Sequence, residues 1–118
     1  MLVKTSELTG PALDYAVAMC QGHAPIYLKC SPEFKARKSG IHLADYPYST
    51  EWSYGGPIIQ EEEIQLASTP QSEGYYCFAG VMGQPGWTSG PTLLIAAMRA
   101  YVRFRAGALV TIPATLMK

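Results

Sequence analysis

The sequence Ser89-Gly90-Pro91-Thr92-Leu93 precedes the longest run of helical periodicity in the chain, and this run decides much of the fold. A hydroxyl residue, a glycine and then a proline favour a helix start. The fixed φ of proline suits the first helical position, where its missing N–H would be unpaired in any case. We therefore predict a helix over residues 91–106. One face of this helix comprises Leu94, Ile95, Met98, Tyr101, Val102 and Arg105.

A second stretch, Thr9-Gly10-Pro11-Ala12-Leu13, repeats this pattern near the start of the chain. The apolar residues that follow have helical spacing, which predicts a second helix over residues 11–21. Gly22 and Gly107 follow the two predicted helices, and glycine is the residue that most often ends a helix. These are the two main helices that we expect.

The remaining periodicity indicates a small, mostly antiparallel sheet. Residues 64–67 and 75–81 are typical of strands, and the turn-forming residues 68–74 between them predict a hairpin. Short strands are also expected at residues 2–5 and 109–112. The predicted fold class is therefore α+β, with the two main helices packed on this sheet.

Length and composition favour a single domain over residues 1–118 that is rich in loops. The chain is 48% apolar, which is enough for a packed core, and it contains 11 Gly and 9 Pro. Proline and glycine interrupt residues 23–47, which we interpret as a long loop that includes a basic cluster at residues 35–38.

The charge balance disfavours some classes of partner. Nine basic and nine acidic residues give a formal net charge of zero, so no overall field attracts nucleic acid or an anionic membrane. A nucleic-acid partner is accordingly disfavoured, whereas a homodimer is compatible with the neutral charge. Lys4 and Glu7 interrupt the early apolar run, so we expect no signal peptide. No uninterrupted apolar stretch approaches the roughly 18 residues that cross a bilayer, so we expect no membrane span. Three cysteines, an odd number, fit a reducing cytoplasm.

Neither a metal site nor a catalytic site is predicted. Cys20, His23, Cys30 and His42 are residue types that bind zinc, but their spacing does not form a compact ligand set. Cys77 lies in an alternating strand pattern with no nucleophile signature around it. We therefore expect no cofactor, no metal and no catalytic residue, and a binding protein rather than an enzyme.

The segment from Trp52 to Pro57 is the main candidate for recognition. Trp52 and Tyr54 are residue types enriched at binding surfaces, and Gly55-Gly56-Pro57 after them predicts a turn. Our first hypothesis is a binding module that contacts a protein or a small ligand through these residues, beside Gly90-Pro91-Thr92. The alternative role for Trp52 is that of a core anchor beneath the turn. Trp87 is interpreted as structural.

A second functional hypothesis comes from the helix starts. Free N–H groups and the positive end of the helix dipole attract anions. The chain would then be a small nucleotide- or phosphate-binding protein or enzyme, with Arg99 or the basic cluster as the counter-charge. Against this, neither start has the glycine spacing of a phosphate-binding loop, and proline removes one donor.

Three blocks of sequence, in order, carry a resemblance to a known family. They are Ser6-Glu7-Leu8-Thr9-Gly10 with residues 12–18, Tyr48-Ser49-Thr50-Glu51-Trp52 with residues 55–59, and Gly90-Pro91-Thr92 with residues 94–99. With these blocks the chain resembles the NinX-like proteins, a family of short proteins of unknown function encoded by lambdoid phages and prophages. The resemblance implies a phage or prophage accessory protein that acts in the bacterial cytoplasm by binding a host or phage component. It supplies no catalytic residue.

Overall fold

The computed structural model describes residues 2–22, 47–71 and 74–112, so residues 23–46 of the predicted loop lie outside the described part. The described residues form an α+β fold, as predicted, with three α-helices and five strands. The helices are α1 (Gly10–Cys20), α2 (Trp52–Glu61) and α3 (Leu93–Ala106). The strands are β1 (Leu2–Lys4), β2 (Ile64–Gln71), β3 (Gly74–Val81), β4 (Thr88–Gly90) and β5 (Leu109–Thr111).

Helix α3 is the centre of the core. Helices α1 and α2 and strands β2, β3 and β4 all pack against it. Of the predicted apolar face, Leu94, Met98, Tyr101 and Val102 are buried. Three alanines, Ala96, Ala97 and Ala100, are buried as well, because neighbouring elements can approach a helix closely where its side chains are small. Helix α3 is buried on several sides because these elements pack around it.

The two helix starts differ from each other. Helix α1 begins at Gly10, which has a φ of +56°, and Pro11 follows it, close to the prediction. Helix α3 begins at Leu93, two residues later than predicted, and the hydroxyl of Thr92 caps it by accepting a hydrogen bond of 3.1 Å from the Ile95 N–H. The later start arises because residues 88–90 pair with β3 as strand β4, which was not predicted.

The strands form two antiparallel sheets. In the larger one β3 lies between β2 and β4, and in the smaller one β1 pairs with β5. The predicted hairpin is confirmed, but its strands are longer, since residues 68–71 continue β2 instead of forming a turn. Pro70 is tolerated there because β2 is an edge strand, where a missing N–H can point away from the ladder.

The predicted turn at Gly55-Gly56-Pro57 is wrong, because all three residues lie inside α2. Neither glycine has a positive φ. A Cβ on Gly55 would lie 2.6 Å from Cδ1 of Leu94 and 2.8 Å from the carbonyl oxygen of Tyr48, so this glycine permits the close contact of α2 with α3. Gly56 has no Cβ to clash with the ring of Pro57, which removes one of the costs of a proline inside a helix.

Candidate functional site

The two aromatic residues singled out in the sequence are exposed at the start of α2. Trp52 is the first residue of the helix, and its surface is 51% exposed, while Tyr54 is 42% exposed. The exposure of Trp52 is inconsistent with the alternative role of a core anchor. Tyr54 is held by an edge-to-face contact with the buried Tyr48, with ring centroids 6.0 Å apart.

A cavity of about 390 Å³ lies between the starts of α2 and α3, and Trp52 borders it. The remaining lining residues are Ser49, Thr50, Thr92, Leu93, Leu94 and Ile95. The fold therefore brings together Trp52 and Thr92, two predicted site residues that are forty positions apart. The Thr92 hydroxyl accepts from the Ile95 N–H and keeps its own hydrogen to donate to a ligand. We call this space the Trp52 cavity.

The segment that carries Ser49 and Thr50 is attached to α1. The backbone N–H of Ser49 donates a hydrogen bond of 2.8 Å to Oδ1 of Asp14. Burial raises the pKa of the Asp14 carboxyl, and hydrogen bonding from Ser49 offsets part of that effect. The N–H groups of Thr50 and Glu51 both donate to the carbonyl of Pro47, which closes the turn before α2. The wall of the Trp52 cavity that Ser49 and Thr50 form is thus held in place by hydrogen bonds to Asp14 and Pro47.

Two of the other predicted site residues, Gly55 and Gly90, have packing roles. Gly55 lies at the contact of α2 with α3, and Pro57 is exposed on α2 away from the cavity lining. Gly90 permits β4 to pass close to α3, because a Cβ there would lie 2.8 Å from the backbone nitrogen of Ala96. Gly56 and Pro91 do not line the Trp52 cavity either.

Arg99 is bound to backbone carbonyls. Its Nε donates to the carbonyl of Leu8 at 2.6 Å, and its Nη1 donates to the carbonyl of Ser89 at 2.9 Å. Burial lowers the pKa of the guanidinium group. Arg99 does not line the Trp52 cavity, so it is not placed as a counter-charge for an anion there. The alternative counter-charge, at residues 35–38, lies outside the described residues.

Of the two cysteines that the structure describes, Cys20 is half-buried and Cys77 is buried. Burial raises the pKa of the Cys20 thiol, an effect that the nearby Arg105 partly offsets, and Cys77 is buried in β3. His23, Cys30 and His42, the other zinc candidates, lie outside the described residues. Within the described ranges, no three potential ligands converge on a common point. None of the helices in these ranges is long and apolar enough to cross a bilayer.

Comparison with known families agrees with the blocks identified in the sequence. The profile of the family described as Bacteriophage P22, NinX matches residues 4–105. The chain belongs to the NinX family. The matched region contains α1, α2 and nearly all of α3. It also includes every residue that lines the Trp52 cavity. No curated protein matches the sequence.

Of the residues that line the Trp52 cavity, the sequence singled out Trp52 and Thr92 but not Ser49, Thr50 or Leu93, and the predicted Tyr54 does not line it. Thr50 lies in a turn, and Leu93 is the first residue of a helix, positions at which neither residue type is unusual. They line the cavity only because α2 packs across the start of α3. No local signal in the sequence reports that contact.

Proposed function

We propose that this NinX family member is a phage accessory protein that binds a host or phage protein and catalyses no reaction. The observation that carries the proposal is the position of Trp52, which is half-exposed on the rim of a concave surface. A large aromatic side chain with a polar N–H is a frequent anchor at protein interfaces. The proposed setting is the cytoplasm of the bacterial host.

The lining of the Trp52 cavity fits an apolar group with a polar end. Leu93, Leu94 and Ile95 provide apolar contact, and the hydroxyl groups of Thr50 and Thr92 lie beside them. Binding sites usually combine a mainly apolar surface with a few polar groups that orient the ligand. A volume of about 390 Å³ suits a side chain of a partner protein or a small ligand.

The phosphate-binding hypothesis has less support at this cavity. The lining has no basic residue among those that the structure describes, and Arg99 is bound to carbonyls. The hydroxyl of Thr92 already satisfies the Ile95 N–H, one of the donors that an anion would use. Thermal denaturation with nucleotides and inorganic phosphate tests the alternative, since a ligand that binds the folded state raises the Tm.

An affinity capture from infected cells tests the binding proposal. The wild type is compared with Trp52→Ala and with Phe104→Ala, which alters an exposed aromatic residue outside the cavity. Circular dichroism and thermal denaturation first establish that both variants fold. We expect a partner that the wild type and Phe104→Ala retain and that Trp52→Ala loses, followed by direct binding of the purified pair. Retention by folded Trp52→Ala would rule out the proposed surface.

A further inference from the structure

A second aromatic surface lies on the larger sheet, away from the Trp52 cavity. It consists of Tyr76, Phe78 and Trp87, which we call the aromatic row. The rings of Tyr76 and Phe78 have centroids 5.6 Å apart, and those of Phe78 and Trp87 are 5.3 Å apart in an edge-to-face arrangement. Tyr76 is 51% exposed and Trp87 is 50% exposed. The interpretation of Trp87 as a structural residue does not explain this exposure.

The alternation of β3 explains why the rings of Tyr76 and Phe78 lie on the outer face of the sheet. Cys77 and Ala79 are buried on the face toward α3, which places Tyr76 and Phe78 on the opposite face. Gly80 lies on that outer face too, and a Cβ there would be 3.4 Å from the indole of Trp87. The indole thus lies against a strand position without a side chain, and its other side remains accessible.

Two cations border a groove that begins at Trp87. The groove has a volume of about 430 Å³, and Lys4, Ser6, Ser89 and Arg103 line it together with Trp87. The guanidinium of Arg103 lies beside Gly86, where its Nη1 would be 2.9 Å from a Cβ. No carboxylate lines this groove, and the ion pair that the described residues form joins Arg105 to Glu62 instead. Lys4 and Arg103 thus form a local excess of positive charge.

We propose that the aromatic row and the groove beside it bind single-stranded nucleic acid. Exposed aromatic rings stack on unpaired bases, while nearby cations and hydroxyl groups contact phosphates. The neutral overall charge disfavours binding through a global field, but stacking on a local surface does not depend on that field. A groove with two cations and no carboxylate in its lining is complementary to a phosphate backbone, which favours a nucleic acid as the occupant here.

This surface is separate from the Trp52 cavity. Arg103 lies eleven residues after Thr92, the cap of α3, which corresponds to about 16 Å along the axis of that helix. The chain has two tryptophans, one at each surface, so single-tryptophan variants report on the two sites independently. Failure of one proposal therefore leaves the other unaffected.

Fluorescence quenching by oligothymidylate about 12 nucleotides long tests the proposal. In Trp52→Phe the remaining tryptophan is Trp87, and we expect its emission to be quenched on binding. In Trp87→Phe the remaining Trp52 should not be quenched. The Trp52→Phe variant keeps Trp87 in place, so its quenching tests the proposal even if a variant without Trp87 does not fold. Absence of quenching in Trp52→Phe would overturn the proposal.

Substitutions of two arginines of α3, Arg103 and Arg105, test how much positive charge contributes to the binding affinity. Arg103→Gln should weaken binding and reduce the slope of log affinity against log salt by about 0.7, the value for one phosphate contact on a single strand. Arg105→Gln, which alters the arginine paired with Glu62, should leave the slope unchanged. Folded Trp87→Ala should lose about 5- to 100-fold in affinity. Equal binding of duplex DNA or of polyglutamate would contradict single-strand recognition.

Discussion

Gly55 shows how a single missing Cβ determines the contact between two helices. A glycine pair followed by proline is typical of a turn, yet Gly55 has ordinary helical geometry inside α2. Its special property is the absence of a side chain where Leu94 of α3 and the carbonyl of Tyr48 approach. The close approach of α2 to α3 also forms the Trp52 cavity between the two helix starts.

We expect Gly55→Ala to lower the free energy of unfolding by about 1–2 kcal/mol. The added methyl group overpacks the contact with α3, which costs more than the better helix propensity of alanine contributes. Urea denaturation measures the change. Ser53→Ala alters an exposed position of the same helix and should change the stability by less than about 0.5 kcal/mol. Equal effects of the two substitutions would contradict the packing role of Gly55.

At the scale of elements, α1 and α3 have similar start sequences but different caps. Thr92 precedes α3, and its hydroxyl accepts the Ile95 N–H. Thr9 precedes α1, but its side chain makes no capping hydrogen bond, and Gly10 adopts a positive φ instead. The same short motif therefore produces two local structures. The difference arises because β4 extends the backbone up to Gly90, which shifts the start of α3 to Leu93.

We expect Thr92→Ala to destabilise the protein by about 1 kcal/mol, since it removes a side-chain cap. Thr9→Ala removes no such bond and should cost less than about 0.5 kcal/mol. Thermal denaturation monitored by circular dichroism compares the two variants with the wild type. A larger loss for Thr9→Ala than for Thr92→Ala would contradict this assignment of the caps.

At the scale of the whole molecule, Arg99 joins segments that are distant in the chain. It extends from α3 to the carbonyl of Leu8, just before α1, and to the carbonyl of Ser89 in β4. The sequence hypothesis assigned this residue to anion binding, but its donors stabilise the packing of three parts of the fold. Leu8 is itself fully buried, so this junction belongs to the core.

We expect Arg99→Met to lower the free energy of unfolding by about 2 kcal/mol, because it leaves two carbonyls without their charged donor while it keeps an apolar stem. Arg103→Met alters an exposed arginine of the same helix and should cost less than about 0.5 kcal/mol. Urea denaturation at neutral pH measures the free energy of unfolding of both variants. Similar losses would show that the two carbonyl contacts of Arg99 contribute little.

The candidate site could be predicted only in part. Among the residues that line the Trp52 cavity, Trp52 and Thr92 could be singled out from residue type and position, whereas Thr50 and Leu93 could not. The exposure of Trp87 was also missed, because an isolated tryptophan carries no signal of the strand face or of the Gly80 position that it covers. Residue type indicates what a side chain can bind, but accessibility depends on which elements pack over it.

Helices α1 and α3, the hairpin of β2 and β3, and the family are all predictable from local sequence, since periodicity and motif blocks are properties of neighbouring residues. Three features are not predictable in this way: Gly55-Gly56-Pro57 is helical, residues 88–90 form a strand, and Arg99 binds carbonyls. These three outcomes depend on contacts between residues far apart in the chain. The energy of such contacts outweighs local conformational preference, and a local pattern does not contain it.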